Sequence, residues 1–194
     1  MGIKARHLIG LAALGGLAWY LRDKNLTHVI ARGALDFPAS KQNPSQLLKA
    51  LEDTQTQLSR KFRDLPDTPE NRKQLGHILA IERWGTNRLK VFNGAEYHKD
   101  SSHEYYPADD ATWEDLMNQF VETRLETIRV GQEALANGKD QKVEHNQLGP
   151  LSPAGWLKYL NYHAYLEATK FKKAEPVSTQ EAQDSGSQTP GLQS

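Results

Sequence analysis

The chain contains no cysteine among its 194 residues. That excludes disulfides, thiolate nucleophiles and zinc sites of the cysteine type, and it fits either side of a membrane. There is no excess of either charge: lysine plus arginine total 24 and aspartate plus glutamate total 24. No basic stretch is interleaved with aromatics, so neither the net field nor any local patch points to nucleic acid. Strict apolar–polar alternation over five or more positions is rare, which leaves little material for a sheet. Also missing are Gly-x-Gly-x-x-Gly, a Walker-type Gly-Lys-Ser/Thr, Gly-x-Ser-x-Gly and His-Glu-x-x-His. A di-iron carboxylate centre needs Glu-x-x-His on two helices, and the chain has none. What remains is helical spacing, which predicts an all-α protein.

No run of twenty apolar residues occurs. The longest candidate is Leu8 to Leu21 (LIGLAALGGLAWYL), uncharged, with Lys4 and Arg6 before it and Arg22 and Lys24 after. Its fourteen residues reach about 21 Å as a helix, against roughly 30 Å for a hydrocarbon core. Flanking Arg and Lys can snorkel and Trp19 and Tyr20 suit the interface, so the expectation is an uncleaved single-pass anchor over residues 1–24. A cleaved signal peptide competes, but Trp-Tyr-Leu-Arg-Asp-Lys stands where a small-x-small site belongs. A buried or interfacial helix is the third reading. Two basic residues on each flank leave the orientation undetermined. Residues 25–42 read as a linker in which Asp36-Phe37-Pro38 ends any helix.

Residues 43–173 read as an up-and-down four-helix bundle. Asn43-Pro44 starts the first helix, running to about Leu65 through Leu47, Leu48, Leu51 and Leu58. Thr68-Pro69-Glu70 starts the second, which carries His77, Ile81, Trp84 and Arg88 and stops near Asn93-Gly94. A polar link from Ala95 to Asp110 follows. Thr112-Trp113-Glu114-Asp115 opens the third, with an inward stripe of Leu116, Met117, Phe120, Val121, Leu125 and Ile128 that ends at Asn137-Gly138. A loop holding His145 leads to Ser152-Pro153 and the fourth helix, whose stripe reads Trp156, Leu160, His163, Ala164, Glu167 and Phe171. Residues 174–194, rich in Ser, Gln, Gly, Pro and Glu without aromatics, read as a disordered tail.

Chemistry concentrates in helices two and four. His163 and Glu167 stand one turn apart on one face, so imidazole and carboxylate can close on one cation. His77, on the second helix, is a third candidate ligand, and two histidines with a carboxylate in a bundle make a metal site with open positions. An ionised glutamate on an inward face needs either a metal or a partner, and Arg124 on helix three is the competing partner for Glu167. Glu82 and Arg83 are expected to face water. His98 and His103, with Glu104, form a weaker candidate pair in the polar link. His145 could reach the bundle mouth as a fourth ligand or a proton carrier.

Two stretches carry a resemblance: Leu75-Gly76-His77-Ile78-Leu79 with Trp84, and His145-x-x-Leu148-Gly149-x-Leu151-Ser152-x-x-x-Trp156 leading into Tyr162-His163. Across residues 43–173 the chain resembles the DinB-like superfamily of metal-binding four-helix bundles, in an uncharacterised branch. The resemblance implies a divalent ion held by one histidine of helix two, matched by His77, and a His-x-x-x-His pair of helix four, matched by His163. Glu167 stands where the second histidine of that pair is expected. Zinc, nickel, iron or manganese are the implied ions. The implied activity is a metal-dependent reaction on a small molecule or thiol adduct, for which His145, from its loop before helix four, could move a proton. The alternative is a non-catalytic anchored scaffold with a degenerate site. Expected partners are the membrane, a small-molecule substrate and, as an option, a second copy of the chain.

Overall fold

Four predicted helix starts become four capped helices. Asn43 accepts a hydrogen bond from the Ser45 N–H at 3.0 Å, opening α1 (Pro44–Arg63). Thr68 accepts from the Asn71 N–H at 3.2 Å, opening α2 (Pro69–Phe92). Thr112 and Asp115 exchange reciprocal bonds of 3.1 Å at the head of α3 (Trp113–Asn137). Ser152 accepts from the Gly155 N–H at 3.1 Å before α4 (Pro153–Glu167). Each cap satisfies an N–H that the helix itself cannot, and Pro44, Pro69 and Pro153 stand where no donor is needed. The computed structural model describes residues 32–173. The proposed anchor 1–24 and tail 174–194 lie outside them; among the described residues no helix is long and apolar enough to cross a membrane.

The chain is mainly helical, and the four helices pack as a bundle in which α1 and α2 each contact both α3 and α4. Its core has two apolar layers. One gathers Leu51, Trp84, Leu89, Trp156, Leu157 and Leu160; the other gathers Leu58, Phe62, Leu75, Ile78, Trp113, Phe120 and Phe171. Phe62 is the hub of the second, with ring centroids 5.2 Å from Phe120 and 5.1 Å from Phe171. Close approach of α3 and α4 depends on Gly131, where a Cβ would meet Leu157 at 2.5 Å.

Several expectations need correction. The connector is not loose from residue 32 onward: a π-helical turn (Arg32–Asp36) and an α-turn (Phe37–Ser40) pack against α4. There the Asp36 carboxylate accepts the Ser152 N–H at 2.8 Å and pairs with Lys142. Pro38 ends no structure; it sits in the first turn of a new one, where its missing donor costs nothing. The loop before α4 contains a two-stranded antiparallel hairpin, β1 (Val143–His145) with β2 (Gly149–Leu151). The fourth helix stops at Glu167 and tightens into a 3-10 turn over Ala168–Lys170. The end of the described chain is tied down: Lys61 donates to the Ala168 carbonyl, and Asn71 exchanges bonds of 3.0 and 2.9 Å with the Lys172 backbone.

Candidate metal centre

α2 and α4 lie against each other, and their seam brings together three of the predicted residues. His77, His163 and Glu167 each offer one ligand atom, and those atoms lie within 4.8 Å of one another. Among the described residues this is the group of three or more such side chains that could share an ion. His77 Nε2 stands 3.9 Å from Glu167 Oε2, and the two imidazole rings meet edge-on with centroids 5.1 Å apart. Ligands about 2.1 Å from a tetrahedral zinc are separated by about 3.4 Å, so rotamer adjustments of about an ångström would close the cluster on an ion. The donor types fit as well: two imidazoles and one carboxylate, a set of three that leaves coordination positions of a divalent ion unfilled.

The surroundings leave the two imidazoles free to ligate and engage the carboxylate with neighbouring donors. Burial pushes the His163 imidazole down to about 3, with the neighbouring charge of His77 adding to it. Burial likewise lowers His77, against the pull of Glu167. Both rings are therefore neutral at pH 7 and keep a lone pair for a metal. Burial alone would raise Glu167, but hydrogen bonds from Lys170 and Gln74 outweigh it and hold the carboxyl below its usual range. Gln74 donates to Oε2 at 2.8 Å, and the Lys170 ammonium touches both oxygens at 2.7 Å. His77 Nδ1 is 3.2 Å from the Tyr106 hydroxyl. No hydrogen bond holds the His163 ring among the described residues, so its nitrogens are uncommitted. Beside Tyr106 a cavity of about 650 Å³ opens, lined in part by Arg72, Lys73, Gly76 and Pro107, a size suited to a small molecule.

His145 is not part of the cluster. It is 4 % exposed and packs among Trp84, Trp156 and Tyr159, with ring centroids 4.9, 5.1 and 4.6 Å away. Tyr159 separates it from His163. Its Nδ1 accepts the N–H groups of Gln147 and Leu148 at 3.2 and 3.1 Å. Nε2 therefore carries the proton, and it is buried without a partner. Burial, followed by the charges of His163 and Arg88, pushes this ring down to about 3. His98 and His103 do not form a pair: the His98 carbonyl accepts from Arg88 at 2.7 Å, while the exposed His103 ring stacks on Tyr106.

Arg124 does not pair with Glu167. Its guanidinium lies 3.1 Å from Glu82, and the two side chains are 0 % and 1 % exposed. Glu82, expected to face water, is thus a core residue. A signal for this exists in the sequence: Ile78, Glu82, Gly85 and Leu89 recur at spacings of four, three and four, the pattern of an inward stripe. Gln74 and Lys170, the groups that hold Glu167, also escape sequence reasoning, although Lys170 lies one turn beyond it. Comparison with protein-family models, with curated proteins and with solved structures finds no match to this chain.

Proposed function

We propose that this chain is a membrane-tethered, divalent-metal-dependent enzyme of the DinB-like kind, acting on a small molecule or a thiol adduct. The observation that carries the reading is the convergence of His77, His163 and Glu167 from two helices onto one point. Zinc, iron, manganese or nickel fits the donor set, with the carboxylate favouring the harder of these. An ion held there supplies Lewis acidity to a substrate oxygen or sulfur. The chain's own residues bind and orient: His77 and His163 stay neutral, Glu167 brings the negative charge, and Gln74 fixes the direction of its carboxylate. His145, behind Tyr159, enters as a support of that wall. The tether is the Leu8–Leu21 run, and an up-and-down bundle is the architecture that the resemblance implies.

A second reading is favoured by Lys170. Its ammonium already neutralises both oxygens of Glu167, as in an anchored scaffold whose site has lost its ion. Metal analysis of the full-length protein from a metal-supplemented preparation separates the two. About one divalent ion per chain, lost in His77→Ala and in His163→Ala, supports the enzyme. A folded, metal-free wild type refutes it. Membrane fractions that resist alkaline carbonate extraction support the tether, and a mature chain beginning beyond residue 25 refutes it.

A further inference from the structure

His77 is the cluster histidine with a hydrogen-bonding neighbour on its second ring nitrogen. A neutral imidazole has one N–H and one lone pair. With Nε2 3.9 Å from the Glu167 carboxylate, a proton on Nε2 is attracted to that anion, and such a ring offers the ion nothing. The lone pair faces the cluster when the proton is on Nδ1 and something accepts it there. The group at Nδ1 is the Tyr106 hydroxyl, 3.2 Å away.

We propose that Tyr106 is the positioning residue of this centre: its phenol oxygen accepts the His77 Nδ1–H and so turns an unprotonated Nε2 toward the ion. The assignment rests on the metal reading above. Metal-bound histidines generally need such a partner on the other nitrogen. Glu167 has Gln74 and Lys170; for His77 that place is taken by Tyr106.

Tyr106 is 41 % exposed, yet its backbone is fixed on both sides. Upstream, Asp100 accepts from Arg88 at 2.5 Å, from Trp84 Nε1 at 3.0 Å and from the Tyr105 hydroxyl. Arg83 donates to the Tyr105 carbonyl at 3.3 Å. Downstream, Pro107 rests on Gly76, the residue before His77. A Cβ at Gly76 would stand 3.4 Å from Pro107 Cγ and 3.8 Å from Tyr106 Cδ1. A methyl group fits there at contact distance, and anything longer lifts the segment. A residue no larger than alanine between Leu75 and His77 thus lets the phenol come down onto the His77 ring.

The test uses the full-length protein with zinc or cobalt(II) as the probe. Tyr106→Phe should weaken zinc binding by about 10–100-fold, with the melting temperature of the metal-free protein unchanged. Gly76→Leu should show a similar loss with the hydroxyl intact, while Gly76→Ala keeps wild-type affinity. Nitrogen NMR of the zinc-loaded wild type should find the His77 proton on Nδ1. Tyr106→Phe binding zinc as tightly as wild type, or a His77 proton found on Nε2, overturns this assignment alone. A folded wild type that takes up neither zinc nor cobalt overturns it together with the metal reading.

Discussion

Removing either half of the Glu82–Arg124 pair should be far worse than removing both. The charges stand 3.1 Å apart with essentially no solvent access. Their attraction is about 5 kcal/mol at an effective dielectric of about 20, and withdrawing each ion from water costs several kcal/mol, so the intact pair roughly breaks even. Its hydrogen bonding is incomplete: Glu82 Oε1 and the Arg124 Nε, Nη1 and Nη2 atoms have no well-directed partner. Arg124→Met or Glu82→Met strands one buried charge and should cost about 3–5 kcal/mol. For a domain of this size that lowers the Tm by roughly 10–20 °C. The double variant Glu82→Met with Arg124→Met should be close to wild type or more stable. Urea and thermal melts followed by circular dichroism, at neutral pH without metal, measure all four corners of the cycle. Single defects below about 1 kcal/mol, or a double variant as damaged as the singles, would refute the reasoning. Because Arg124 belongs to Glu82, a severe Arg124 defect says nothing about how Glu167 is held.

Three further outcomes are expected. Burial holds the folded-state pKa of His145 at about 3, below the unfolded value of about 6.5, so the unfolded chain takes up a proton that the native state refuses. Stability should therefore fall as pH drops below about 6.5, by about 1.4 kcal/mol per unit for this ring; urea melts at several pH values check it, and an unchanged slope in His145→Gln would contradict it. Burial pushes His163 down to about 3 and also lowers His77, so zinc affinity should fall less between pH 7.5 and 6 than the roughly tenfold expected of an exposed histidine pair. Calorimetry at the two pH values decides, a tenfold loss counting against the lowered imidazoles. Trp156→Ala and Trp84→Ala should each cost about 3–5 kcal/mol: both rings are buried and bonded, Trp156 Nε1 to the Val143 carbonyl at 3.1 Å and Trp84 Nε1 to Asp100 at 3.0 Å. A loss below 1 kcal/mol in denaturation would contradict their placement.

The helix starts were legible because a cap is a local event: Asn43, Thr68, Thr112 and Ser152 act on N–H groups two or three residues away. Two of the three cluster residues were legible for a similar reason, since His163 and Glu167 share a face by spacing alone, whereas the convergence of His77 from another helix is not a local event. What escaped depends on neighbours distant in sequence. Glu82 lies on an inward stripe, but a carboxylate is normally kept out of a core, and only Arg124, forty-two positions on, makes its burial tolerable. His145 reads as a loop residue because three-residue strands such as Gly149–Leu151 are too short to display a period. Its burial follows from the hairpin folding back on Trp84 and Trp156. Tyr106 gave no warning because its partner, His77, is reached through a turn whose shape depends on Asp100 and Gly76.

Asp36 ties the segment leading out of the N-terminal region to Ser152, the cap of α4. That helix has fifteen residues, a rod about 22 Å long at 1.5 Å per residue, and His163 and Glu167 occupy its last two turns. A rod this short does not bend appreciably. A pull on residues 32–36 acts along that rod, against the packing of α1, α2 and α3 on its sides. Where the rod moves, its ligands move against His77, which stands on a different helix. The segment at residues 32–36 and the far end of α4 are thus joined through a single helix.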